Sequence, residues 1–125
     1  MASCKPAPFH GDFVSPEQII PPEGLRDAEG RPLIWESCVT MNNHWGYCAT
    51  DRFYKPASML IRKLVECVSK GGNLLLNVGP DARGRFPQES QAILREIGAW
   101  MDHNADSIYG CGPAFGPSST NTRSG

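Results

Sequence analysis

Periodicity along the chain predicts an α/β fold organised around parallel strands. Two observations carry that prediction: a short apolar run punctuated by glycine at both ends, and amphipathic stretches of helical period on either side of it. The run is Asn73-Leu74-Leu75-Leu76-Asn77-Val78, between Gly71-Gly72 and Gly79-Pro80. A run of that length with little polar alternation reads as a strand buried on both faces, as in a parallel sheet. Before it, Leu60, Ile61, Leu64, Val65 and Val68 recur at helical spacing over Ser58 to Lys70. Arg62, Lys63, Glu66 and Lys70 fall between them, as an amphipathic helix requires. Pro56 or Ser58 can open this helix, and Gly71 can close it in the left-handed conformation that glycine permits.

After the strand, Asp81-Ala82-Arg83-Gly84-Arg85 reads as a turn-rich loop. A second helix is predicted from Pro87, suited to a first helical position, to about His103. Ile93, Leu94, Ile97, Trp100 and Met101 keep its 3.6-residue period and form its core stripe. Upstream, Leu33 to Cys38 reads as another short strand. The order strand, long loop, helix, strand, loop, helix is a right-handed βαβα unit. It suits either an open doubly wound sheet or a closed barrel, and two strands need further structure to bury their faces. Residues 1–110 are taken as the folded part. Residues 111–125, rich in Gly, Pro, Ser, Thr and Asn, are expected to be a disordered tail.

The chain has 125 residues, enough for one domain with a sizeable core, and 40% hydrophobic and 20% charged residues mark it as globular. Twelve basic and 13 acidic residues leave a net charge of -1. With no basic patch, nucleic acid is not an expected partner. No apolar run approaches the roughly 20 residues needed to span a bilayer. Met1 to His10 has no apolar signal-peptide core, so any export signal would lie upstream. The five cysteines show no CxxC pairing and no His/Asp/Glu cluster has ligand spacing, so neither a metal nor a cofactor is expected. Cys67 reads as a small buried hydrophobe on a helix; Cys38 and Cys48 are either free or bridged.

Three segments carry a family resemblance: Trp35-Glu36-Ser37-Cys38, the loop Asn42-Asn43-His44-Trp45-Gly46-Tyr47, and Val68 to Pro80 with its Lys70-Gly71-Gly72-Asn73 core. Together with the spacing of Gly84, Pro87, Gly98, Trp100 and Ile108-Tyr109-Gly110, they closely resemble the family 29 α-L-fucosidases. The similarity runs from about Gly11 to Gly110. It implies a partial (β/α)₈ barrel of the TIM type, about the last two to three βα units, since a complete barrel takes roughly 250 residues. It further implies a retaining exo-glycosidase acting on fucosylated glycans or glycoconjugates. Family members are often secreted, periplasmic or lysosomal. In the family a β-sandwich usually follows the barrel; the tail after Gly110 does not resemble it.

Glycoside hydrolysis typically needs two carboxyl groups, one attacking or activating water and one exchanging a proton with the leaving oxygen. The resemblance implies an aspartate nucleophile on an earlier strand, and nothing in Met1 to His10 matches its Trp-rich segment. The nucleophile is absent from this chain. The general acid/base is implied at Glu17, in Gly11-Asp12-Phe13-Val14-Ser15-Pro16-Glu17. By its residues alone Glu17 is a loop glutamate that either projects over a barrel mouth or is simply solvated. Glu36 would be costly to bury unpaired, so it belongs to a barrel-interior ion pair, contacts a substrate hydroxyl or serves as an alternative proton donor. Trp45 matches an aromatic of the family's pocket wall, where an indole can cover the apolar face of a 6-deoxy sugar; otherwise it anchors the rim. His44 either reaches the substrate or stays at the surface. Asn42 and Asn43 suit turn geometry, and Asn77 with Gly79-Pro80 reads as a structural turn in preference to a sugar contact.

Three expectations follow. The parent protein is an α-L-fucosidase of which this chain is a part, inactive alone. Alternatively, the chain is a non-catalytic fucose-binding module or a partner-binding remnant. Exposed strand edges would in either case favour self-association.

Overall fold

The computed structural model describes residues 11–114. Its elements are β1 (Glu36–Thr40), α1 (Ala57–Ser69), β2 (Asn73–Asn77) and α2 (Gln88–Asn104), followed by a 3₁₀ turn at Ala105–Ser107. The two strands pair in parallel, with Glu36 opposite Asn73 and Thr40 opposite Asn77. A third extended segment lies along the other side of β1. Val14 N–H donates to Ile34 O (3.0 Å), Glu36 N–H to Val14 O (2.9 Å), Cys38 N–H to Pro16 O (3.1 Å) and Gln18 N–H to Cys38 O (2.7 Å). Pro16 has no N–H to give, which interrupts the ladder and leaves two isolated parallel bridges, Val14 with Trp35 and Glu17 with Cys38. The spatial order is therefore residues 14–18, β1, β2, all running the same way.

Both helices contribute to one face of this sheet. Val39, Met41, Ala57, Leu60 and Ile93 form the buried cluster, with Leu74, Leu76, Val78, Leu94 and Ile97 packed against it. Strand alternation sends Cys38 and Leu75, which are register partners, to the opposite face. That face is open: Leu75 is 50% exposed. The expectation that β2 is buried on both faces thus holds for one face only, because α1 and α2 cover the same side. β1 also begins later than the Leu33 to Cys38 pattern suggests. Leu33 N–H bonds Leu25 O at 2.8 Å and Ile34 points to solvent, while the buried hydrophobic residues of this stretch are Trp35, Val39 and Met41. Trp100, expected in the core stripe, is only half-buried.

The helices start and stop within a residue of their predicted bounds. Pro56 and Pro87 both occupy N-cap positions, so Pro87 precedes the first helical residue. Gly71 ends α1 at φ 78. Gly72 is required for a different reason. A Cβ there would lie 2.3 Å from the indole carbons of Trp35, which is 1% exposed and fills the space beneath the amino end of β2.

Cys38, Cys48, Cys67 and Cys111 are free, so no Cys38–Cys48 bridge forms. Cys67 is fully buried, and burial pushes its thiol up to about 11. Among the described residues no helix is long and apolar enough to cross a membrane. Of the segment expected to be a disordered tail, residues 111–114 are described, and Ala114 N–H donates to Ser69 O at 2.8 Å. Residues 115–125 lie outside the described residues, as does Met1 to His10.

The Trp35–Gly72 contact yields a stability prediction. Gly72→Ala overpacks a site with no slack and is expected to cost at least ~2 kcal/mol. Denaturant midpoints should show it, and an unchanged midpoint would mean that Trp35 is not seated there.

Candidate active site

The carboxyl ends of the three parallel segments meet the loop 41–55 to form a cleft. Its lining is Ser15, Glu17, Cys38, Trp45, Leu75, Leu76, Asn77 and Val78, and its volume is about 590 Å³. The wall is mostly apolar, from Trp45, Leu75, Leu76 and Val78. Glu17 is the carboxylate among the residues that line it. Trp45 Nε1 donates to Glu17 Oε1 at 3.1 Å. Indole offers a donor and no acceptor, so this bond fixes which partner supplies the proton.

Two residues, the last of β2 and one just beyond it, hold Trp45 at this position. Asn77 Nδ2 donates to Trp45 O at 2.6 Å. Gly79 lets the loop sit against the strand end, since a Cβ on it would lie 2.6 Å from the carbonyl carbon of Gly46 and 2.7 Å from Tyr47 N. The turn reading of Asn77 and Gly79-Pro80 is therefore incomplete. These residues also bind the tryptophan loop down.

His44 does not line the cleft. Its Nδ1 lies 2.7 Å from Asp51 Oδ2, with the histidine side chain 53% exposed and the aspartate 2% exposed. Asp51 also accepts from Asn43 N (2.8 Å) and Phe53 N (3.1 Å), so one buried carboxylate gathers the whole loop. Asn42 makes the expected turn, its Oδ1 accepting from His44 N at 3.1 Å. Nothing in the sequence pattern separates Asp51 from an ordinary loop aspartate; the signal is its position seven residues beyond His44, and it identifies a pair only once the loop is folded.

Glu36 shares a sheet face with Cys38 one step toward the amino end and does not reach the cleft lining. Its carboxylate has no hydrogen-bond or ion-pair partner among the described residues, so the expected barrel-interior ion pair is not found there. The Cys38 thiol is pushed up, first by burial and then by the negative charge of Glu36; Glu17 adds to the same effect. Among the described residues, no group of His, Cys, Asp and Glu is arranged to hold a metal ion.

The carboxyl ends of the parallel strands thus gather one carboxylate, one indole and an apolar wall around a single cleft on an α/β unit. A family model described as Alpha-L-fucosidase matches residues 2–106. The α-L-fucosidase of Dictyostelium discoideum is 47% identical over 83 residues, covering 63% of this chain and 18% of that protein. Among solved structures, α-L-fucosidase isoenzyme 1 from Paenibacillus thiaminolyticus superposes with a TM-score of 0.82 at 58% identity, over 87% of this chain and 25% of that one. An α-L-fucosidase from Bacteroides thetaiotaomicron, trapped as a covalent intermediate with 2-fluoro-fucosyl fluoride in a glutamate-to-glutamine variant, matches with a TM-score of 0.71 at 33% identity, over 83% of this chain and 24% of that one. The chain belongs to the α-L-fucosidase family. It spans about a fifth of the length of the curated relatives it matches.

The His44–Asp51 bridge gives a pH prediction. Their hydrogen bond is the main cause holding His44 above its usual value and Asp51 below the usual carboxylate range. The raised histidine stabilises the loop fully below its unfolded value, and this is lost as pH rises through the folded value. The depressed aspartate contributes above its unfolded value, and this is lost as pH falls through the folded one. An NMR titration of His44 should give a midpoint above 6.5, returning toward 6.5 in Asp51→Asn. A His44 midpoint indifferent to Asp51 would refute the bridge.

Proposed function

We propose that this chain is an arc of a (β/α)₈ barrel and supplies the acid/base half of a retaining α-L-fucosidase site. Glu17 is the proton donor and acceptor, and Trp45 is the sugar-facing wall. The observation that carries the reading is the Trp45–Glu17 hydrogen bond at the carboxyl ends of parallel strands, since barrel enzymes build their active face there. The apolar wall of Trp45, Leu75, Leu76 and Val78 suits a 6-deoxy sugar, whose methyl group and ring face are better buried than solvated.

In this mechanism Glu17 gives its proton to the glycosidic oxygen as the bond to the anomeric carbon breaks. An attacking carboxylate on another barrel strand takes up the sugar as a covalent ester. Glu17, now ionised, removes a proton from water, which opens that ester with net retention. The covalent trapping of the Bacteroides relative, with a glutamate changed to glutamine, supports this two-step route. Trp45 steadies Glu17 by hydrogen bonding, and His44 acts on the site indirectly, by closing the loop with Asp51. Glu36 is read as a polar residue of the barrel interior. The substrate class is a fucosylated glycan or glycoconjugate.

Because Glu17 is the carboxylate lining the cleft, the 125-residue chain alone is expected to release no nitrophenol from nitrophenyl α-L-fucoside, and its open sheet face to promote concentration-dependent association visible by sedimentation. In the complete enzyme, with residues 11–110 forming the last barrel strands, Glu17→Gln should lower kcat/KM toward a methyl fucoside by about 10²–10⁴-fold. The loss should be much smaller with a nitrophenyl leaving group, which departs without protonation. Equal losses on both substrates would rule out the acid/base role.

A further inference from the structure

Beside Glu17 stands a residue whose backbone is out of the ordinary. Gln18 has φ 61, and it is the non-glycine residue with positive φ among those described. Glutamine is not one of the residues that tolerate this region readily, so the backbone is strained there. Such a conformation persists only when its surroundings over-determine it.

The surroundings do so through the side chain. Up to this point the segment pairs with β1 as a parallel strand: Cys38 N–H donates to Pro16 O, and Gln18 N–H to Cys38 O. The next rung of an evenly spaced parallel ladder would run from Thr40 N–H to the Gln18 carbonyl. The main chain turns away instead, and Gln18 Oε1 accepts from Thr40 N at 3.3 Å. The same amide donates through Nε2 to Thr40 Oγ1 at 2.8 Å. The side chain thus stands in for the missing strand residue.

Thr40 is a rigid anchor for this clamp. It is 1% exposed, its hydroxyl donates to Asn42 O, and Lys55 Nζ donates to Thr40 O at 2.7 Å and to Asn42 O at 3.1 Å. Gln18 itself is exposed and borders the cleft lining without belonging to it. A structural role in core packing therefore does not account for it.

We propose that Gln18 is a positioning residue for proton transfer: its left-handed turn, locked by the amide clamp on Thr40, aims the Glu17 carboxylate at Trp45 and the cleft. The proposal rests on Glu17 being the acid/base. A displacement of about 1 Å at such a group can cost about 10²-fold, and the cost falls on steps that need the proton.

The test uses the complete enzyme and compares kcat/KM for methyl and nitrophenyl α-L-fucosides. Gln18→Ala removes the clamp, and Gln18→Gly removes it while making the turn free of strain. Both are expected to lose at least about tenfold more on the methyl than on the nitrophenyl substrate, in the same direction as Glu17→Gln. Gln18→Asn, which accepts positive φ but is one methylene too short for both bonds, should show the same split and serves if the alanine enzyme does not fold. A wild-type Gln18→Gly enzyme, or equal losses on both substrates in Gln18→Ala and Gln18→Asn, would overturn the positioning role. If Glu17→Gln itself shows no split, the acid/base reading fails first and this proposal falls with it. A split in Glu17→Gln with none at Gln18 removes only the proposal made here.

Discussion

Thr40 and Asn77 end their strands in register, and each restrains one partner of the Trp45–Glu17 hydrogen bond. Asn77 takes the carbonyl of Trp45; Thr40 takes the side chain of Gln18, the residue after Glu17. The result is a closed circuit that runs from Glu17 through the indole, down to one strand end, across the sheet and back. A circuit of this kind fixes geometry better than any of its bonds does singly, because loosening one leaves the carboxylate held from the other side. Two exposed side chains on irregular backbone are in this way each tied to a strand end.

The opposite end of the sheet is built on different physics. There Trp35 lies under Gly72, Asn73 N–H donates to Trp35 O at 3.0 Å, and a Cβ on Gly24 would come within 2.6 Å of Lys70 O. These are close approaches of backbone to backbone or to an indole, and they exclude side chains. Directional polar bonds set the cleft end, whereas the amino end is set by volume. Substitutions at the two ends should accordingly differ in kind, with packing changes felt as stability and clamp changes felt as geometry.

The helices and β2 were legible from periodicity, because Leu60, Ile93 and the leucines of β2 place their apolar atoms at spacings that only one secondary structure satisfies. β1 was legible in kind but displaced, since Leu33 and Ile34 look like strand core, whereas Leu33 pairs with Leu25 and Ile34, bonded to Val14 through its carbonyl, leaves its side chain exposed. Glu17 and Trp45 came from family resemblance; periodicity alone had no means of bringing residues 28 positions apart into contact. Asp51 and Gln18 were not legible. Their importance lies in bonds to Asn43, His44, Phe53 and Thr40 that exist only after the loops close, and neither residue type is unusual in a polar stretch.

The open face of the sheet links folding to the chemistry. Cys38 and Leu75 line the cleft and also form the face that neither helix covers. An element placed over Leu75 would bury apolar surface and, by the same contact, remove water from around Glu17. Exclusion of water strengthens the Trp45 hydrogen bond and raises the cost of leaving the carboxylate without a partner. For this chain, covering the open face and drying the surroundings of Glu17 would be one event.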